Sequence, residues 1–458
     1  MICLQRMRCD VVCSCATRIG IMALMATLTH VPNIFAADLD VNQIVSSRWA
    51  TDIDNGDTQL FDMAWRQEAR WRFDDGGRLT GRLRLRVQTE SGTRSSDIEN
   101  GSFASATQPQ DIGDRVELGL RELYYERSLD DWYLTIGKQQ VVWGKADGLK
   151  VLDVVNPQSF REFILEDFEQ SRIPLWTFNA ERSIDDWLGG DWTLQLLWLP
   201  DQTYHALPTQ NATYGLSSPR LVPQASPGVS ARIRSPEKPN RLIADSDAGI
   251  RLSGFVSSWD VSINYLYQYD NLPALHQRIL PGSIPVVEIT PRYHRTHLLG
   301  GTFSRATGDW VVRGELGYFS SRYFLSNDPQ TQDGVATSPE LSVVIGLDWS
   351  GGEDTFISAQ LFQSWLPDYR QGFTRPRLDT SISFLLRRKL WNDTLQAELL
   401  WIANTNDSDG LLRPRMSYEL EDNLEIWAGL DIFYGNHSGL FGQFGNNDRF
   451  YIGVRYGL

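Results

Sequence analysis

The sequence predicts an all-β fold: a transmembrane antiparallel up-and-down β-barrel of 18 strands, with 16 the alternative count, short periplasmic turns and long extracellular loops. Three observations predict it. Apolar and polar residues alternate with period two over runs of ten or more residues. Short and long connections alternate along the chain, and Trp, Tyr and Phe gather at the ends of the runs. Strands of soluble proteins average about five or six residues, whereas a tilted strand crossing a bilayer needs about nine to eleven.

The first hairpin sets the pattern. Phe61, Met63, Trp65, Ala69, Trp71 and Phe73 share one face, and Asp62, Arg66, Glu68, Arg70 and Arg72 share the other. Asp74-Asp75-Gly76-Gly77 is turn chemistry. Leu79, Leu83, Leu85 and Val87 then oppose Arg78, Arg82, Arg84 and Arg86. Within 114–127 the phase slips near Arg121-Glu122, which predicts a bulge. Clear later runs carry Val261, Ile263, Tyr265 and Tyr267, then Val343, Ile345 and Leu347, then Ile426, Ala428 and Leu430. The last run ends at the terminus with Phe450, Ile452, Val454, Tyr456 and Leu458. Short turns at 74–77, 128–131, 183–190, 257–258, 305–309, 350–354, 389–393 and 421–423 alternate with long connections. Once residues 40–50 are taken as the first strand, this yields 18 strands with both termini at the short-turn end, which is the periplasmic end of such barrels.

The N-terminus reads differently. Arg6, Arg8 and Arg18 precede the apolar run 19–26, and Ala36-Ala37 offers small residues for cleavage, the order of a secretory signal peptide. The expected organisation is a leader, 1–36, and a barrel, 37–458. All four cysteines (Cys3, Cys9, Cys13, Cys15) lie in the leader, so the exported chain would carry none. That fits passage through an oxidising periplasm without a disulfide scaffold. Losing three arginines and Asp10 shifts the net charge from −14 to −16. A hydrophobic content of 41% excludes disorder. No later apolar run reaches spanning length, which excludes a helical membrane bundle. A soluble sandwich or propeller would not need so many ten-residue strands with aromatic ends.

Two segments carry a resemblance. The final strand, residues 450–458, is similar to the terminal assembly signal of outer-membrane barrels, with Leu458 where Phe or Trp is usual; this implies the barrel-assembly machinery as a partner. The second segment contains Arg121-Glu122, Gly137-Lys138-Gln139-Gln140-Val141-Val142-Trp143-Gly144, Asp147, Asp153 and Asn156-Pro157. It resembles an uncharacterised family of proteobacterial outer-membrane barrels that carry an Arg-Glu pair and a Gly-Arg-Gln…Trp-Gly…Asp…Asn-Pro segment. More distantly it is similar to alginate-export-type porins. Lys138 stands where the family has Arg, which keeps the charge but not the bidentate fork.

An 18-stranded barrel is too wide for its wall side chains to fill, so it encloses water or a plug. Arginines in hydrocarbon would each cost about 2–4 kcal/mol at mid-depth, so the basic face of the first hairpin must line water. The expected pore-lining set is Arg66, Arg70, Arg72, Arg82, Arg84, Arg86, Arg121, Lys138, Lys145, Asp147, Asp153 and Arg161. Two roles compete for the arginines: a ladder guiding anionic or polar solutes, or ion pairs with facing carboxylates that only stiffen the wall. Loop 144–172, with Phe160, Phe163, Ile164 and Phe168 at helical spacing over 158–170, folds either inward as a constriction or outward into solvent. Loop 200–245, with seven prolines, reads as an irregular external segment.

The expected function is porin-like passage of small polar or anionic solutes through an Arg-lined lumen. The alternative is a binding or accessory barrel for a hydrophobic or lipidic compound with little conductance. No enzyme, cofactor, metal or nucleic-acid role is expected: His294 and His297 face opposite ways on one strand, and Asn436-His437-Ser438 is turn composition. The partners are then outer-membrane lipid, the assembly machinery and a small solute, with a monomer favoured over a trimer.

Overall fold

The computed structural model describes residues 39–458 apart from 91–98, 100, 114, 147–149, 188, 225–227, 283–284, 332 and 353. The expected leader, its cleavage point and Asp147 lie outside the described residues. Eighteen strands form the wall: β1 (Leu39–Asp52), β2 (Thr58–Arg72), β3 (Arg78–Glu90), β4 (Val116–Leu129), β5 (Trp132–Gln139), β6 (Leu175–Trp187), β7 (Gly190–Leu199), β8 (Asp247–Val256), β9 (Trp259–Tyr269), β10 (Arg295–Thr307), β11 (Trp310–Leu325), β12 (Val335–Trp349), β13 (Thr355–Trp365), β14 (Leu378–Leu390), β15 (Leu395–Asn404), β16 (Asp409–Glu421), β17 (Leu424–Tyr434) and β18 (Arg449–Gly457). Each pairs antiparallel with the next, and β18 pairs back onto β1, from Asp52↔Arg449 to Ile44↔Gly457. The barrel is closed. A three-residue strand, Gln110–Ile112, adds beside β4. A separate three-stranded sheet (Ser230–Ile233, Ala274–Leu280, Val286–Arg292) stands in the loops at the long-connection end.

The eight expected short turns join neighbouring strands, but two are tighter than expected: β6 runs on to Trp187 within 183–190, and β10 to Thr307 within 305–309. The bulge falls at Arg121: β3 and β4 pair as Arg82↔Glu122 and then Leu83↔Leu120, skipping one residue. Two consecutive side chains, Arg121 and Glu122, therefore line the interior.

The wall is inverted relative to a soluble protein. Much of the inner face is polar and covered, with Asn179, Ser262, Asn264, Thr302, Ser342 and Ser383 all buried, and its apolar patches, Leu266 and Leu298 in one and Ile402 and Phe433 in another, are those on which loops pack. The outer face is apolar and open, with Ile263 61%, Leu299 55% and Met416 53% exposed. Trp187, Trp310 and Trp391 mark its short-turn rim, and Trp198, Tyr267 and Trp365 the opposite rim. A closed barrel is the strand architecture that satisfies every backbone group inside hydrocarbon, and an apolar band between aromatic girdles is its lipid contact. This is an outer-membrane barrel.

Candidate functional site

Barrel closure gathers basic residues from both ends of the chain. Arg48 of β1, Arg66 of β2, Arg84 and Arg86 of β3, Arg413 and Arg415 of β16, and Arg449 and Arg455 of β18 line one interior cavity of about 110 Å³, facing Asp62, Glu166 and Asp167. A second cavity of about 310 Å³ continues it, lined by Arg82, Arg121, Glu68, Glu122 and Glu169, and shares Arg66, Asp167, Gln170 and Arg455 with the first.

Most of these guanidiniums are neutralised locally. Arg86 grips Asp62 with two bonds of 2.9 Å. Arg84 donates to Glu117 (2.9 Å) and Arg82 to Glu68 (2.8 Å). Arg413 and Arg449 share Asp431, each at 2.7 Å. Arg415 and Arg455 divide a single carboxylate, Glu425, at 3.7 and 3.1 Å. Arg66 differs. Among the described residues no carboxylate lies within ion-pair distance of it, and its Nε is buried without a partner. It lines both cavities, so the interior keeps an uncommitted guanidinium where they meet.

Residues 140–174 form the long loop between β5 and β6, and it folds inward. Its base is closed by Asn156, whose Oδ1 accepts the Val141 N–H (2.6 Å) and whose Nδ2 donates to Gln139 O and Ile173 O (3.3 and 3.0 Å). Its first half crosses to the far wall. There Trp143, Val151 and Leu152 sit against Gly249, Gly317 and Gly300, where a Cβ would lie 2.8, 3.0 and 2.5 Å from them. Glu315 of β11 accepts the backbone N–H groups of Lys145, Ala146 (2.6 Å) and Leu152 (2.9 Å).

The second half lies against the arginine wall. Fully buried Glu162 receives Arg48, Arg86 (3.2 Å) and Arg449 (3.1 Å). Arg161 donates to Glu117 (2.7 Å), and Arg413 donates to Leu165 O (2.9 Å). The expected helix over 158–170 does not form. Phe163 adopts the left-handed conformation (φ 53°), and only the single turn Phe168–Ser171 is helical. Phe160 packs edge-on to His205 while Phe163 packs on Phe444, so these rings serve different partners rather than one helix face. Burial lowers His205 to about 3, and its neutral Nδ1 accepts the Gln158 N–H at 2.8 Å.

Burial pushes the Glu162 carboxyl up, but the guanidiniums of Arg48, Arg449 and Arg86 outweigh it and hold it well below its ordinary value of 4.5. A carboxyl depressed in the folded state contributes stability that is fully present above its unfolded value and lost as pH falls toward the folded one. The loop therefore stays locked at neutral pH. Conductance of the reconstituted barrel is expected to be flat from about pH 8 to about pH 5 and to rise only in stronger acid; a steep change between pH 6 and 7 would contradict this assignment.

The expected site residues divide by position. Arg66, Arg82, Arg84, Arg86 and Arg121 line the cavities. Arg121 also donates to the carbonyls of Glu169, Gln170 and Arg172 (3.2, 3.1 and 2.6 Å) and so fixes the loop. Arg70 and Arg72 stand exposed near the short-turn end and line neither cavity. Asp153 is buried between Lys150 (2.6 Å) and Arg172 (2.8 Å), and Lys145 pairs with Asp260; these two, like Arg161, hold the loop. Lys138 is a correction. It pairs with Leu123 and Trp176 on the outward face, where its Nζ donates to Thr107 O (3.3 Å) and Leu120 O (2.7 Å) under the preceding loop.

The sequence reading missed Arg413, Arg415, Arg449 and Arg455. Their signal was present as the polar phase of β16 and β18, but nothing local says that closure sets β18 beside β1 and so brings these strands to the same part of the interior as β1 to β3. Among the described residues, no group of three or more His, Asp or Glu gathers in a way that would hold a metal ion. His437 Nδ1 lies 3.1 Å from Gly442 O of its own loop.

Residues 58–436 match the family described as "Protein of unknown function (DUF1302)". No curated protein matches the chain. Among solved structures the chain is similar to OpdK of Pseudomonas aeruginosa, solved with vanillate, and to a BenF-like porin of Pseudomonas fluorescens Pf-5. Each is 10% identical over 93% of this chain and 99% of that one, with a TM-score of 0.48. OccAB3 of Acinetobacter baumannii is 8% identical over 92% of this chain and 100% of its own, with a TM-score of 0.47.

Proposed function

The chain belongs to the DUF1302 family, and we propose that it is a porin-like channel of the outer membrane that passes anionic and polar solutes through an arginine-lined interior. The observation that carries this reading is Arg66: of the eight guanidiniums that line the first cavity, seven hold carboxylates and Arg66, among the described residues, has no ion-pair partner. Preorganised guanidiniums in a confined, partly dehydrated passage stabilise a passing anion and repel cations. Loop 140–174 is the constriction in this reading, and the Trp143-Gly144 and Asn156-Pro157 elements of the resembled motif seat it. Strand β18 presents Phe450, Ile452 and Tyr456 outward, as a segment read by the barrel-assembly machinery would.

The test is the reversal potential of the purified barrel in a planar bilayer under a KCl gradient. Chloride selectivity is expected. Cation selectivity would overturn the reading, and a silent bilayer would favour a barrel that binds an apolar compound without conducting.

A further inference from the structure

Building on the channel reading, we infer that the solute is an amphipathic anion, an acidic group carried on an apolar body, and that a plug of apolar side chains between two chambers selects it. The outer chamber, about 270 Å³, is walled by Leu216, Leu272, Leu275, Phe324, Leu325 and Leu440. It also touches Arg220, Arg322 and Arg375, but these carry no spare charge. They belong to an alternating chain: Asp270–Arg322 (2.8 Å), Arg322–Glu340 (2.8 Å), Glu340–Arg375 (3.2 Å), Arg375–Asp379 (3.7 Å), then Asp379–Arg220 and Arg220–Asp407. Three guanidiniums against four carboxylates make this chamber a place for apolar groups and a poor one for a bare anion. The inner chamber differs in one respect: its Arg66, among the described residues, has no carboxylate partner.

Between them lies a buried apolar cluster in which three loops pack on Ile402, Leu411 and Phe433 of the wall. Phe163 stands 4.8 Å from Phe444 and 5.8 Å from Phe441, and Tyr214 stands 5.6 Å from Phe444, ring centre to ring centre. Leu216 and Leu440 join this cluster and face the outer chamber; Leu165 joins it and faces the inner one. The inner side of the plug is backed by charge, with the Arg449 guanidinium 5.5 Å from the Tyr214 ring and Arg413 bonded to Leu165 O. A small hydrated ion meets a surface that strips its water and returns nothing. An apolar tail exchanges water for Leu and Phe contact in the outer chamber. It can part loops 163–165, 214–216 and 440–444 without breaking the wall, and the acid that follows reaches the inner chamber and its uncommitted Arg66.

Bi-ionic planar-bilayer recording of the purified full barrel tests this, with sodium methanesulfonate on one side and sodium hexanesulfonate on the other; both stay ionised throughout. Wild type is expected to prefer hexanesulfonate by about tenfold or more. Phe441→Ala with Phe444→Ala is expected to bring the ratio near unity and to raise chloride conductance. Equal permeability of the two sulfonates in wild type, both still favoured over sodium, overturns the plug as selector and leaves the anion channel standing. Sodium favoured over both overturns the channel reading itself. The wild-type comparison decides the matter even if the double variant fails to fold.

Discussion

A barrel carrying Glu162→Gln is expected to lose its constriction: single-channel conductance rises several-fold, and proteolysis reaches loop 140–174. The carboxylate is fully buried and is the shared partner of Arg48, Arg86 and Arg449. Gln is nearly isosteric, so packing is kept and only the charge is removed. Arg86 and Arg449 retain Asp62 and Asp431, yet the group now faces three guanidiniums with one neutral amide. Breaking a buried pair from one side costs about 3–5 kcal/mol, and that cost falls on the loop rather than on the wall, whose ladder bonds are untouched. Unchanged conductance and unchanged protease resistance would show that the glycine-seated half of the loop holds it alone.

Arg66→Glu is expected to have the largest effect on selectivity, reducing the anion-to-cation permeability ratio at least about tenfold. The substitution changes the local charge by two units, and at about 5 Å each unit is worth about 3 kcal/mol at an effective dielectric constant of about 20. Because Arg66 has no ion-pair partner among the described residues, its replacement orphans no carboxylate and leaves the fold intact. Reversing Arg82 and Arg84 instead would set new acids against Glu68, Glu122 and Glu117 and confound stability with selectivity. Reversal potentials measured on wild type and Arg66→Glu under the same gradient decide it. An unmoved potential would mean that ions bypass this chamber.

The barrel was legible because its signal is local. The alternation of Trp65, Arg66 and Gln67 reports a strand face directly, and the misphase at Arg121 reports its own bulge. The site was half legible. That Arg84 and Arg86 face inward follows from the same alternation, but their neutralisation by Glu117, Asp62 and Glu162 needs register and loop path, which are non-local. Lys138 misled for a physical reason: a charge on the outward phase is costly in lipid, and here it is tolerated because the carbonyls of Thr107 and Leu120 cover it at the rim. The direction of loop 140–174 was undecidable from composition, since Phe and Glu in one segment suit either solvent or a lumen. Gly249, Gly300 and Gly317 decide it, and their shared face on β8, β10 and β11 emerges only after the strands are aligned.

The carboxamide of Asn156 pins together the two places where the inward segment leaves the wall, at Gln139–Val141 and at Ile173. Once the neck is fastened, whatever hangs from it can be rewritten without disturbing how neighbouring staves align. Asp167, which lines both chambers and has no ion-pair partner among the described residues, is then a position that can be exchanged without loosening the pinned segment, as a fitting is changed on an intact cask.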